Sequence, residues 1–243
     1  MTSLVEALGI GIAGRLAPTD LAIERGQMVA VIGPNGGGKT SLLRSLARTE
    51  DAFGQVSVDG RDVDAAGEAQ RRRLLAFLPA SRDAAWPVTV ADTLEFGLGA
   101  PDRDRIRELI ALLELDQLAT RPIDRLSTGE RARAMLGRAL AGKAKLLLLD
   151  EPLSNLDPYW VLRTIDLVRD EIAANRSSAL VSVHDLSMLS RFDRVLLVNN
   201  GAIIADAPPT VVLESKEFGA AFRVEQSGNG WAIKLLADRR SLR

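Results

Sequence analysis

The sequence predicts an α/β protein built around a mostly parallel β-sheet, and three observations point there. Apolar runs at residues 28–32, 74–78, 146–149, 180–183 and 195–198 are too short for buried helices. They have the length and unbroken apolar character of strands covered on both faces. Between them lie segments with helical spacing, so strands and helices alternate along the chain. The first run ends in a glycine-rich turn that opens directly into helical spacing over residues 41–48.

Asn200-Gly201 separates residues 195–199 from 202–205. An Asn-Gly pair between two such runs favours a two-residue hairpin turn, because both positions need positive φ. Residues 81–144 interrupt the strands, with Ile106, Leu109, Ile110 and Leu113 along one helical face. That stretch reads as an inserted helical lobe. No internal repeat or low-complexity segment occurs, so the unit is present once. A chain of 243 residues can bury a full-sized core, and one domain over residues 1–243 is the expectation.

Composition narrows the function classes. Formal net charge is −1 at pH 7, so no basic field favours nucleic acid. There is no Cys, which excludes disulfide staples and thiolate metal sites and suits a reducing compartment. The first residues lack a basic region and carry Glu6, so they do not read as a signal peptide. No run of about 18 apolar residues occurs, so the sequence offers no bilayer-spanning helix.

The chemistry begins at Gly33, Pro34, Asn35, Gly36, Gly37, Gly38, Lys39 and Thr40, which fit G-x-x-x-x-G-K-[ST] between a strand and a helix. Glycines let backbone N–H groups turn inward around phosphate oxygens, aided by the positive end of the following helix. Lys39 supplies a point charge for the β and γ phosphates, and the Thr40 hydroxyl suits Mg²⁺. Ser41 extends this nucleotide-binding set into the helix. The plainer alternative is a glycine turn that merely starts a helix.

A second element is the apolar run 146–149 ending in Asp150 and Glu151. Asp150 is placed to hold Mg²⁺, directly or through water, and Glu151 is the candidate base for an attacking water. Buried strands often end in acidic turns, so this pair gains weight only beside the phosphate loop. A third element is Leu126-Ser127-Thr128-Gly129-Glu130, opening an amphipathic helix. Ser127 and Glu130 also fit the capping box S-x-x-E, which is a sufficient structural reason for both.

In this order and spacing, these elements resemble the nucleotide-binding subunit of ATP-binding cassette (ABC) transporters over nearly the whole chain. The resemblance makes residues 33–40 the Walker A loop, 126–130 the signature and Asp150-Glu151 the end of Walker B. Ser154-Asn155-Leu156-Asp157 matches the D-loop. His184, the sole histidine, matches the switch histidine after a core strand. The implied fold is a P-loop NTPase core with an antiparallel β subdomain and an inserted helical subdomain over about 81–144.

The resemblance also implies a mechanism. Two cassettes pair head to tail, and each ATP lies between the Walker A loop of one chain and Ser127, Gly129 and Glu130 of the other. Asp157 joins the nucleotide-binding set, with Glu151 and His184 catalytic. The implied partners are transmembrane permease subunits, a second copy of the cassette and, indirectly, an external substrate-binding protein, but no nucleic acid. The place of work is the cytoplasmic side of the membrane. Leu75-Ala76-Phe77-Leu78-Pro79, followed by Trp86-Pro87, resembles importers of metal chelates such as siderophore iron, haem and cobalamin.

Three departures from the family pattern stand out. Ala80 occupies the place of the Q-loop glutamine, and the flanking glutamines, Gln70 and Gln117, are distant. Thr128 replaces the first glycine of the signature. No aromatic residue precedes Phe53 to stack on adenine, and the planar guanidinium of Arg15 is a possible substitute. The alternatives left open are an impaired regulatory cassette, an exporter subunit and a non-transport ABC protein acting on DNA or ribosomes.

Overall fold

A computed structural model describes residues 3–81, 88–227 and 230–233. The chain begins with β1 (Ser3–Ile12) and β2 (Leu16–Glu24), then enters a second sheet at β3 (Met28–Ile32). The glycine-rich loop leads into α1 (Lys39–Leu46). β4 (Ala52–Val58) and β5 (Arg61–Asp62) rejoin the first sheet, and α2 (Glu68–Leu74) feeds β6 (Leu75–Leu78). Among the described residues, α3 (Val90–Glu95), α4 (Arg103–Leu112), two short 3₁₀ turns and α5 (Thr128–Ala141) follow before β7 (Leu146–Leu149). α6 (Pro158–Asn175) crosses to β8 (Ser178–Ser182), and β9 (Arg194–Asn199) turns into β10 (Ala202–Ala207). α7 (Pro209–Leu213), α8 (Lys216–Phe222) and the hairpin β11 (Val224–Ser227) and β12 (Gly230–Ile233) complete the described chain.

The first sheet has the order β2-β1-β4-β5 and is antiparallel. The second has the order β10-β9-β3-β8-β7-β6 and is parallel except for β10 at its edge. Alternation along β3 explains why its sequence is apolar throughout. Met28, Ala30 and Ile32 join one hydrophobic cluster, and Val29 and Val31 join the other. The first cluster is closed by helices that contribute Leu94, Leu109, Leu136 and Ile165. The second holds Leu42, Leu43 and Leu46 of α1 together with Val5, Ile10 and Ile23 of the antiparallel sheet. Burying each such side chain contributes about 1.5–3 kcal/mol.

The structure adjusts the predicted boundaries. Leu74 ends α2, and strand β6 starts one residue later. β8 runs from Ser178 to Ser182, so the strand takes in two buried serines and stops before Val183. The Asn200-Gly201 hairpin forms with both residues at positive φ, 49° and 73°. Trp86 and Pro87 lie outside the described residues.

Three side chains tie the helical segment to α6. Arg105 of α4 reaches Glu171 of α6 with 2.7 and 2.8 Å contacts and also donates to the Leu140 carbonyl. The Arg133 guanidinium of α5 lies 4.3 Å from the Trp160 ring centroid and donates to the Leu113 and Glu114 carbonyls. Tyr159 adds a hydroxyl bond to Glu114 at 3.0 Å.

Candidate functional site

The predicted phosphate loop, the Asp150-Glu151 pair and His184 all follow the carboxyl ends of parallel strands, β3, β7 and β8. Ligand clefts of open α/β sheets lie at that edge. The loop after β3 requires its glycines. Gly33, Gly36 and Gly38 have φ of 151°, 75° and 112°, and a Cβ on Gly33 would fall 1.9 Å from the Val198 carbonyl oxygen. A loop held this close to β9 leaves its remaining face to the cleft.

The Lys39 ammonium donates to the carbonyls of Gly33 at 2.9 Å and Pro34 at 3.1 Å, folded back over its own loop. Burial lowers its pKa, an effect partly opposed by the negative charges of Glu151 and Asp150. Asp150 is 1% exposed. Its Oδ1 accepts from the Ser182 hydroxyl at 2.7 Å, while Oδ2 is buried without a hydrogen-bond partner. An orphaned anionic oxygen is costly unless a cation or water serves it. This oxygen, with the Thr40 hydroxyl in the first turn of α1 as a further oxygen donor, therefore suits a divalent ion.

Glu151 is held in the left-handed region at φ 52°, strained for a residue with a side chain. Its N–H donates to the Ser182 hydroxyl at 2.7 Å, which anchors the turn. Its Oε1 lies 2.7 Å from His184 Nε2, and Oε2 accepts from Ser154 at 3.2 Å. Burial pushes the Glu151 pKa up, but His184, Ser154 and Lys39 outweigh it and hold the carboxyl below its ordinary value.

A cleft of about 910 Å³ gathers the loop residues Asn35 to Ser41, Glu151, Asn200 and Gly201 with Arg15 and Phe53. Arg15 pairs with Glu50 at 3.1 Å. The predicted signature residues stand elsewhere. Ser127 caps α5 in a reciprocal box with Glu130, at 2.8 and 3.3 Å, and Thr128 is the first helical residue. Gly129 faces the Asn155 carbonyl rather than the cleft. Asp157 caps α6 by accepting from the Trp160 N–H at 2.9 Å. Ala80 is exposed just past β6, whose Leu78 carbonyl accepts from the Asp150 N–H at 2.8 Å.

Sequence reasoning missed Ser182, which steadies both carboxylate residues, and Phe53, which lines the cleft. A serine at the carboxyl end of a fully buried strand was the available signal for the first.

A glycine-rich loop and a carboxylate–histidine pair, set on one mostly parallel sheet beside an antiparallel one, are the features of a P-loop protein. The chain belongs to the ABC transporter family, whose model matches residues 16–154. It is 37% identical over 225 residues to the hemin import ATP-binding protein HmuV of Pseudomonas entomophila, covering 86% of this chain and 87% of that protein. It is 34% identical over 234 residues to the cobalamin import ATP-binding protein BtuD of Halobacterium salinarum. That match covers 91% of this chain, which spans 59% of the length of that relative. The fold also matches the ATP-binding cassette MJ0796, solved as a dimer in a post-hydrolysis state bound to ADP and Pi. The TM-score is 0.76 at 21% identity, covering 84% of this chain and 98% of that one. No helix among the described residues is long and apolar enough to cross a membrane.

Proposed function

We propose that this chain is the ATP-binding and ATP-hydrolysing subunit of an ABC importer, acting at the cytoplasmic face of the membrane on a separate permease. One observation carries the proposal: Lys39 and Glu151 line the same cleft, and Glu151 is paired to His184 at 2.7 Å. The relatives named for hemin and cobalamin import favour a metal chelate as cargo. The chain would work as one domain over residues 1–243, with a helical subdomain over about 81–144. A substrate-binding protein outside the membrane would deliver the cargo.

ATP is the substrate of the cleft. The N–H groups of residues 33–40 and the start of α1, with Ser41, would receive its phosphates, and Lys39 would exchange two carbonyls for phosphate oxygens. Thr40 and the orphaned Asp150 Oδ2 would hold Mg²⁺, which supplies positive charge against the phosphates. Glu151, ionised at neutral pH, accepts a proton from water, and His184 fixes the direction of its carboxylate. Ser127, Gly129 and Glu130 stand outside the cleft of their own chain. They would complete the site of a second copy, with Asp157 fixing the D-loop between them, so that closure of the pair depends on ATP. Arg15 flanks the same cleft on its β1–β2 side.

The decisive experiment is Mg²⁺-dependent ATPase activity measured across protein concentration, beside Glu151→Gln. Specific activity that climbs with concentration and falls by about 10²–10⁴-fold in Glu151→Gln is expected. Activity independent of concentration, or retained in that variant, would overturn the composite site or the role of Glu151. Ala80 motivates a second reading, a regulatory cassette that binds ATP without turnover. Under that reading the wild-type chain is silent and Ala80→Gln restores hydrolysis.

A further inference from the structure

We infer that Phe53 is the platform on which the base of the bound nucleotide stacks, an inference that rests on the nucleotide reading of the cleft. The cleft has two unlike walls. One is the phosphate loop, with its N–H groups and Lys39. The other comes from the β1–β2 turn and the start of β4: Ile12, Ala13, Arg15, Leu16, Pro18 and Phe53. Among the described lining residues Phe53 is the single aromatic, and it is 41% exposed.

The ring has a prepared seat. Gly11 lies opposite Phe53 in the β1–β4 ladder, just past a register shift. A Cβ on Gly11 would fall 2.4 Å from Phe53 Cζ and 2.7 Å from Cε2, so the ring rests directly on bare backbone. The next residue, Gly54, has φ 83° and approaches the Gly9 carbonyl so closely that a Cβ there would lie 2.4 Å from its oxygen. Arg48 donates to the Phe53 carbonyl at 3.0 Å and fixes the strand at this point. Glycines in β1 and β4 thus bend the ladder and leave one ring against the cleft.

Arg15 meets a different demand. Its guanidinium is turned to Glu50, whose other oxygen is held by Arg44. The flat apolar surface of this wall therefore belongs to Phe53. A ring reads the face of a base and not its edge, so the platform accepts adenine and guanine alike.

The test is equilibrium binding of ATP, GTP and inorganic tripolyphosphate, each with Mg²⁺, to the full chain. Phe53→Ala is expected to weaken ATP and GTP by about tenfold or more, the scale of one lost base–aromatic stack, and to leave tripolyphosphate unchanged. Phe53→Leu, which keeps an apolar side chain over Gly11, is expected to show most of the same loss. An unchanged ATP affinity in Phe53→Ala would overturn the platform, as would a loss shared equally by tripolyphosphate or confined to ATP. A base-dependent loss seen only in Arg15→Ala would also overturn it. A wild-type chain that binds neither ATP nor tripolyphosphate would instead sink the nucleotide reading itself.

Discussion

The Gly201 N–H donates to the Gly37 carbonyl at 2.9 Å, tying the β9–β10 hairpin to the middle of the phosphate loop. On its other side the Gly201 carbonyl accepts from the Ala17 N–H at 2.8 Å. One residue of a hairpin turn therefore joins the phosphate loop to the β1–β2 wall of the cleft.

Gly201→Ala tests that tie. The residue has φ 73°, and an added Cβ would lie 2.6 Å from the Arg15 backbone oxygen. A cost of about 1–3 kcal/mol in unfolding free energy is expected from denaturant titration, with weakened ATP binding alongside. Unchanged stability would mean that the turn relaxes freely and does not brace the loop.

The bridge between α4 and α6 is a second test. Arg105 and Glu171 are 5% and 11% exposed at their side chains, and Arg105 Nε has no partner. Glu171→Gln leaves the buried guanidinium with only the half-exposed Glu108, 3.0 Å away, as counter-charge and is expected to cost about 3 kcal/mol. Replacing both, as in Arg105→Met with Glu171→Leu, is expected to recover most of the loss. Equal destabilisation by the single and double changes would show that packing, not charge, holds these helices.

Glu151 gives a pH dependence with a definite sign. Its folded carboxyl is held below the ordinary value of 4.5. The ionised form therefore favours the folded state, and this contribution is complete above that value. It is lost as pH falls through the lower folded value. The difference in denaturation midpoint between wild type and Glu151→Gln is thus expected to shift against the wild type on acidification from pH 7 towards 3. A shift in the opposite direction would contradict the hold that His184, Ser154 and Lys39 exert.

Lys39→Ala is expected to abolish ATP binding measured by calorimetry, since it removes the cation of the phosphate loop. The variant should still fold, because the lysine bonds only to carbonyls of its own loop. Tight ATP binding by this variant would count against the phosphate-loop assignment.

Much of this was legible in the chain. Strands β3 and β7 are unbroken apolar runs because both of their faces are covered, and the Ser127–Glu130 box is local enough to read directly. The loop glycines were visible because their backbone angles admit little else. The antiparallel sheet resisted such reading. Register shifts between β1 and its partners disturb the alternation that would have marked it, and Gly9, Gly11 and Gly54 conceal where side chains point. Ser182 and Phe53 depend on pairing across distant segments, β8 with β7 and β4 with β1. Spacing along the chain carries no trace of such partners.

In the proposed nucleotide site, Lys39 would meet its ligand already dressed for the encounter. Its four-carbon arm is frozen across the loop by two carbonyls, so the rotamer entropy that capturing an anion usually consumes has been surrendered during folding. An incoming phosphate would not recruit a wandering side chain; it would exchange neutral acceptors for charged ones around a cation already in place. Affinity in such a loop is set by preorganisation, and a change that frees the lysine would weaken capture without touching the ligand.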